Sequence, residues 1–238
     1  MEPLAKELRK LMPSGSVRPD PESQVQRSVA EVDADELKRL LDRTGLNVNA
    51  PAPPSDFTWF KPSIQPPKAR KEARQLLAAF EAWTDGSAPA TLTVMGGAGI
   101  GKSELARTAI WKLPGAYYIT AAEFDKRVKT FASNYGMPGG VSVDPDTWVE
   151  RLALAENLVI DDVAAGYIDK GWTASRLERL IDLREASKRR TVVITNLSRD
   201  ELYLEVGGRV FSRVTDALNA VVVEPKHMVD VRQLANRN

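Results

Sequence analysis

The sequence predicts an α/β domain built on a five-stranded parallel sheet flanked by helices, and three observations carry that expectation. Five short β-rich runs recur: TLTVM (91–95), AYYIT (116–120), LVIDD (158–162), TVVIT (191–195) and AVVVE (220–224). Helical patterning fills the intervals, at 102–112, 121–132, 173–188 and 199–218. The runs are nearly continuous in apolar residues rather than alternating, the pattern of parallel strands covered on both faces.

Upstream of that alternation the chain is built differently. Leu4, Leu8 and Leu11 mark a short helical stripe that stops at Pro13, and residues 13–30 read as a polar, proline-bearing linker. Asp33 and Glu36 make a capping-box-like start for a second short helix, with Leu37, Leu40 and Leu41 as its stripe and Gly45 as its end. NVNAPAPPSDFTWFKPSIQPPK follows, with six prolines, and cannot be continuous helix or a central strand. Phe57, Trp59 and Phe60 inside it are too apolar for a free tail and are expected to dock on the domain that follows. Ala73, Leu76, Leu77, Phe80 and Trp83 then give a helix with one apolar face. The expected organisation is a small helical N-terminal arm over 1–50, a proline-rich connector over 51–67 and the α/β domain over 68–238.

Bulk properties narrow the function classes. With 238 residues, 43% hydrophobic and 27% charged, the chain has the composition of a soluble globular protein with one good core and an appendage. A formal charge of +1 excludes a globally basic nucleic-acid binder, so any DNA contact must come from local patches. The absence of cysteine excludes disulfides and cysteine-based zinc sites, and suits a reducing compartment. The start, MEPLAKELRKLMPSG, lacks an apolar secretory segment, and no window approaches the roughly 18 apolar residues of a membrane span. The expectation is a cytoplasmic protein with no membrane partner.

The chemistry begins at MGGAGIGKSEL, which fits G-x-x-x-x-G-K-[ST] with Gly96, Gly101, Lys102 and Ser103 at the fixed places. A strand runs in, and a helix carrying Leu105, Ala106, Ala109 and Ile110 runs out. Glycines let backbone N–H groups turn inward around phosphate oxygens at the positive end of the helix dipole. Gly96, Gly97, Ala98, Gly99, Ile100, Gly101, Lys102, Ser103 and Glu104 are therefore the expected nucleotide-binding residues. Lys102 would reach the β- and γ-phosphates, and the Ser103 hydroxyl would ligate Mg²⁺.

NLVIDDVA is an apolar strand ending in Asp161 and Asp162. Adjacent carboxylates repel unless a cation sits with them, so beside a phosphate loop Asp161 is expected in the Mg²⁺ shell. Asp162 would orient or deprotonate an attacking water. Asp162 is one methylene shorter than a glutamate would be, which suits slow hydrolysis. TVVITNLS ends in Thr195 and Asn196. An amide there can bond the water or the γ-phosphate. Asn196 also suits a helix cap ahead of SRDEL, but Ser198 can take that place.

Taken together, these motifs resemble the AAA+ ATPases, specifically the branch of DnaC-type replicative helicase loaders and IstB-type transposition helpers. The resemblance spans residues 36–235 and rests on GGAGIGKSELA, YYITAAEF, NLVIDDVA, TVVITNLSRDEL, GGRVFSRV and the terminal DVR at 230–232. It implies a P-loop NTPase fold without a C-terminal lid, since only a short tail follows the fifth run. It departs from the family at Lys-Ser-Glu-Leu, often Lys-Thr-His-Leu, and at REASKRRT, but neither change removes a group needed for ATP. Without cysteines, the zinc-bearing N-terminal domain of some loaders is excluded. The resemblance also implies that Ser212-Arg213 acts as an arginine finger on the γ-phosphate of a neighbouring subunit, with Arg209 as a supporting charge. The bland alternative is an i,i+4 pair of solvated charges.

For DNA, Lys126, Arg127 and Lys129 with Phe124, Phe131 and Tyr135 interleave cations and aromatics, as sequence-tolerant single-strand binding requires. Phe124, Val128 and Phe131 also have core spacing, and the cations can equally be their solvated back face. Lys61, Lys68, Arg70, Lys71 and Arg74 form a second basic stretch. No Asn-Lys-x-Asp guanine signature is present, so ATP is expected. The insertion at 134–147 lacks the arginine a small-molecule kinase lid would carry. His227, the only histidine, reads as a surface or packing residue, and Trp111, Trp148 and Trp172 read as core or interface anchors. The expected function is a slow, assembly-dependent ATPase that forms a spiral on single-stranded DNA and grips a hexameric replicative helicase through its N-terminal arm. The alternatives are an IstB-like helper on duplex DNA and a nucleotide-switched adaptor with negligible hydrolysis.

Overall fold

The computed structural model describes residues 54–232, apart from 112, 114, 135–143, 165, 167, 169 and 170. These belong to the compact unit Leu37–Asn238. The expected N-terminal arm at 1–50 and Tyr135 lie outside the described residues.

The parallel-sheet expectation holds. β1 (Thr91–Val94), β2 (Ala116–Thr120), β3 (Asn157–Val163), β4 (Arg190–Thr195) and β5 (Ala220–Val223) form one sheet in the order β2-β3-β4-β1-β5. Each pairing is parallel, so the C-terminal ends of the strands share one edge. β1 and β4 run level, with Val94 opposite Ile194. Between β3 and β4 the register shifts: Ile160 opposes Val193, but Val163 opposes Thr195. The extra residue on β3 is a bulge, and it falls at Asp161 and Asp162.

Side chains alternate across the sheet and feed two cores. Val159, Val192, Ile194, Leu92 and Val94 face α1 (Arg70–Asp85) and α2 (Lys102–Trp111). Leu158, Ile160 and Val193 face the other way, against α3 (Ala121–Asn134), α4 (Pro145–Ala153), α5 (Trp172–Ala186) and α6 (Arg199–Thr215). Trp148 of α4 fills this second core between the rings of Phe124 and Phe131, with centroids 5.6 and 5.5 Å away. The apolar stripe of α1 is covered as expected: Ala73, Leu76, Phe80 and Trp83 are all buried.

Two elements differ from expectation. Helix α4 begins inside the stretch read as irregular. Asp144 caps it by accepting from the N–H groups of Asp146 and Thr147, and Pro145 occupies its first turn. The helix expected over 199–218 ends at Thr215 and is broken at Gly207, whose φ of 81° and ψ of 159° no helix contains. Only a residue without Cβ adopts that conformation readily.

The connector docks on the α1–α2 face, as its aromatics require. Asp56 caps a 3₁₀ turn at Phe57–Trp59. The Trp59 indole N–H donates to Thr108 Oγ1 of α2 at 3.2 Å, and Phe60 is buried. The tail after β5 is stitched to the same region. Gln65 Nε2 donates to the Val229 carbonyl at 3.0 Å and its Oε1 accepts from the Val229 N–H at 2.9 Å. Glu72 accepts from the N–H groups of Lys226 and His227 at 3.1 and 2.8 Å.

One buried cation closes the lower end of the sheet. Arg184, 1% exposed, donates to Thr191 Oγ1 (2.8 Å) and to the carbonyls of Ala153 (3.1 Å), Ala155 (2.7 Å) and Arg190 (2.5 Å). Burial, with the Arg189 charge beside it, lowers its pKa to about 9. Arg184→Ala leaves those carbonyls buried without donors and is expected to lower unfolding free energy by roughly 3 kcal/mol in urea denaturation. Arg184→Lys, which lacks the planar fork, is expected to recover only part of the loss.

Candidate nucleotide site

The loop after β1 turns under a set of backbone constraints that glycine satisfies. Gly101, at φ +97°, also sits against the connector: a Cβ there would lie 3.0 Å from the Phe60 ring and 3.6 Å from Trp59. The loop therefore carries an aromatic wall on one side. On another it meets the tail, where the Val231 N–H donates to the Gly99 carbonyl at 3.0 Å. The Asp230 carboxylate occupies the space a Gly99 Cβ would need, and Arg232 holds it at 2.7 Å. Gly97, Ala98 and Ser103 are exposed, Gly96 and Gly99 are half-buried, and Ile100 is buried as the loop's anchor. Glu104 pairs with Arg107 at 3.3 Å within α2.

Lys102 is 5% exposed, and its ammonium donates to the carbonyls of Gly96 and Gly97 and to Asn196 Oδ1, each at 2.7 Å. Burial lowers its pKa to about 8, while the charges of Asp161 and Asp162 act against that shift. Asn196, exposed at the end of β4, stands between Lys102 and Asp162, its Nδ2 3.5 Å from Asp162 Oδ1. It is available there because Ser198 caps α6, forming a full capping box with Glu201. Asp161 is 3% exposed. Its Oδ1 accepts from the Asp162 N–H at 2.7 Å, and its Oδ2 accepts from the Tyr118 hydroxyl. Burial and the Asp161 charge push the Tyr118 phenol upward, so it remains a protonated donor. Asp162 takes φ +53° at the bulge, which turns it away from Asp161 and toward Asn196.

The structure thus gathers the loop, Lys102, Ser103, Asp161, Asp162 and Asn196 at the C-terminal edge of β1, β3 and β4. Among the described residues no group of three or more His, Cys, Asp or Glu side chains forms a metal cage. One buried carboxylate beside a hydroxyl is the donor set Mg²⁺ takes when phosphate oxygens and water complete its shell, so Ser103 and Asp161 fit that cation.

Other expected residues are not brought there. Arg213 lines a small cleft with Thr91 and Thr191, at the N-terminal ends of β1 and β4. Its Nε lies 2.7 Å from Glu185 and 3.0 Å from Asp182, close as charges but aligned as a hydrogen bond to neither. Arg209 pairs with Glu178 at 2.5 Å. On α3, Lys126 is exposed, Arg127 pairs with Glu123 and Lys129 with Asp125, each at 2.7 Å. Phe124 is buried, and Phe131 packs its ring on Trp148. Lys61, Lys68, Arg70, Lys71 and Arg74 are all exposed around the start of α1. Sequence reasoning missed Tyr118, Gln65 and Asp230. Nothing in the AYYIT alternation marks one tyrosine as a carboxylate's partner, and the other two act across long chain separations.

Strand order, phosphate loop and acidic strand tip define a P-loop NTPase fold of the AAA+ class. The fold is shared with the DnaC helicase loader, whose crystal structure superposes with a TM-score of 0.56 at 18% identity, covering 72% of this chain and 97% of that one. Domain III of DnaA from Thermotoga maritima gives 0.56 at 19% identity, over 79% and 75% of the two chains. AMPPCP-bound DnaA from Aquifex aeolicus gives 0.53 at 15% identity, with 72% of this chain matching 51% of that one. No protein-family model matches the sequence, and no curated protein does.

The Lys102 shift has a signed consequence. Its folded pKa of about 8 lies below the ordinary 10.5, so between those values the unfolded chain binds the extra proton. Stability from this group therefore rises as pH climbs from about 8 toward 10.5 and is lost as pH falls through 8. Thermal melts of native protein and Lys102→Met across that window should differ in slope, the variant lacking the native protein's relative gain at alkaline pH.

Proposed function

We propose that this chain is an ATPase that loads a hexameric replicative helicase onto single-stranded DNA, working as an oligomer. The observation that carries the reading is the convergence of Lys102, Ser103, Asp161, Asp162 and Asn196 at one edge of the sheet. The AAA+ fold it shares with the DnaC helicase loader supports the biological direction.

The chemistry follows from the side chains. Loop N–H groups at the start of α2 hold phosphate oxygens, and Lys102 exchanges neutral carbonyls for the β- and γ-phosphates, a stronger charge-assisted pairing. Ser103 and Asp161 would hold Mg²⁺, which would neutralise charge on the phosphates. Asp162 accepts a proton from, or orients, the attacking water, and Asn196 fixes that water from the adjacent strand. Trp59 and Phe60 wall the loop beside Gly101. Arg213 lies far from its own chain's loop, so its role toward a γ-phosphate is in trans, and such a cation contributes roughly 10³–10⁵ in turnover in other NTPases. The exposed cations around α1 are better placed to track a DNA backbone than Arg127 and Lys129 of α3, which are partnered on their own helix.

Three measurements test the reading. Steady-state ATP turnover, with and without single-stranded DNA, is expected to be slow, abolished in Lys102→Ala, and to rise on assembly. Mixing Arg213→Ala with Lys102→Ala subunits is expected to restore turnover above either variant alone; no recovery at matched assembly removes the trans arginine. A pull-down with intact protein should retain a hexameric helicase, and deletion of residues 1–60 should release it. Turnover without any helicase retention would leave an ATPase but not a loader.

A further inference from the structure

Tyr118 stands on β2 in register with Val159 of β3, so the two side chains share the face covered by α2. Asp161, two residues beyond Val159, projects to that same face. The phenol leans along the strand direction to reach it, and its hydroxyl donates to Asp161 Oδ2. The first turn of α2, above, carries Ser103. One hydroxyl therefore sits between the helix start and the strand tip that bear the expected cation ligands. No other part of the proposed reaction uses it.

We propose that Tyr118 is a positioning residue for Mg²⁺ at the nucleotide site, its hydroxyl holding the Asp161 carboxylate in the orientation that receives the cation. This rests on the nucleotide-site reading above. Asp161 is 3% exposed, so water has little access to fix its rotamer. Two protein donors do so instead, Tyr118 on Oδ2 and the Asp162 N–H on Oδ1. Each carboxylate oxygen keeps a further lone pair after accepting one hydrogen bond, so a cation can bind without displacing either donor. A carboxylate already turned to its task loses less freedom when the metal arrives, and removing such a supporting partner typically weakens metal affinity 10–100-fold.

Tyr118→Phe keeps the ring and removes only the hydroxyl. Binding of a fluorescent ATP analogue to the full chain is measured in EDTA and across a MgCl₂ titration. The expected result is affinity in EDTA within about twofold of native, with the Mg²⁺ midpoint of the affinity gain raised roughly tenfold or more. An unchanged midpoint overturns the proposal. So does a lowered one, which makes the hydroxyl a competitor of the cation, and so does an equal loss with and without Mg²⁺, which makes it merely structural. Native protein that binds no nucleotide under either condition sinks the nucleotide-site reading itself, a result distinct from a native Mg²⁺ response that Tyr118→Phe shares.

Discussion

A buried ammonium must find oxygen to replace its lost hydration, and at Lys102 this requirement draws the functional edge of the molecule together. Two acceptors come from the loop after β1 and the third from the residue after β4, 94 positions along the chain. They meet because β1 and β4 are hydrogen-bonded neighbours running level, so their C-terminal ends finish at the same height. Burial lowers the Lys102 pKa even so, because three neutral oxygens solvate the ammonium less well than water does. Phosphate, with formal charge on its oxygens, is a better partner in the same place. The sheet register thus does more than fix the core, since it delivers a buried cation, hydrogen-bonded only to neutral oxygens, to the mouth of the glycine-rich loop.

The bulge in β3 solves a second problem, that adjacent carboxylates with like charge should not share one environment. In a regular strand Asp161 and Asp162 would simply point to opposite faces, one of them into the core against α3. The extra residue and the left-handed conformation of Asp162 instead keep both near the edge while aiming them apart, Asp161 under α2 and Asp162 toward Asn196. Asp tolerates that conformation at a cost of roughly 1–2 kcal/mol, which the β2–β3–β4 ladder on either side sustains. Strain of this kind gathers where side chains must be re-aimed, and here it separates the Asp161 and Asp162 carboxylates.

What could be read in advance follows from how locally each feature is encoded. The strands were legible because parallel strands covered on both faces are apolar throughout, and the loop because its spacing is covalent. Asn196 was legible as a site residue because Ser198 offered a better cap two positions on, and Ser198 takes it. The α4 start carried a signal as well, Asp-Pro ahead of Trp148, Val149 and Leu152, but the glycines and valines before it suggested an irregular insertion. Gly207 was hidden for a different reason. Leu202, Val206, Val210 and Val214 keep one buried stripe running across the break, so hydrophobic spacing reports one helix where the backbone forms two. Strand order, the Tyr118 contact and the Gln65–Val229 clasp depend on residues far apart in sequence, and no window contains them.

The pair of arginines in GGRVFSRV is engaged within its own chain, and the action in trans proposed for Arg213 would require those contacts to give way. Within its own chain Arg213 lies against Asp182 and Glu185, and Arg209 against Glu178, acids at successive turns of α5. The alternative reading expected two solvated charges, whereas both arginines meet acids of α5 and the Arg213 Nε is buried; ion pairs between partly exposed side chains contribute only about 0–1 kcal/mol each. A contact so weak would not hold the arginine against a dianionic γ-phosphate if a neighbouring copy presented one. Nor does it leave the guanidinium wandering before that copy arrives. The imperfect alignment of Arg213 Nε with both acids keeps the competing interaction electrostatic rather than directional. Because a guanidinium stays charged in either setting, moving from acids to phosphate is an exchange of partners and not of protons. An arginine held by such exchangeable contacts would suit the role proposed for it in trans.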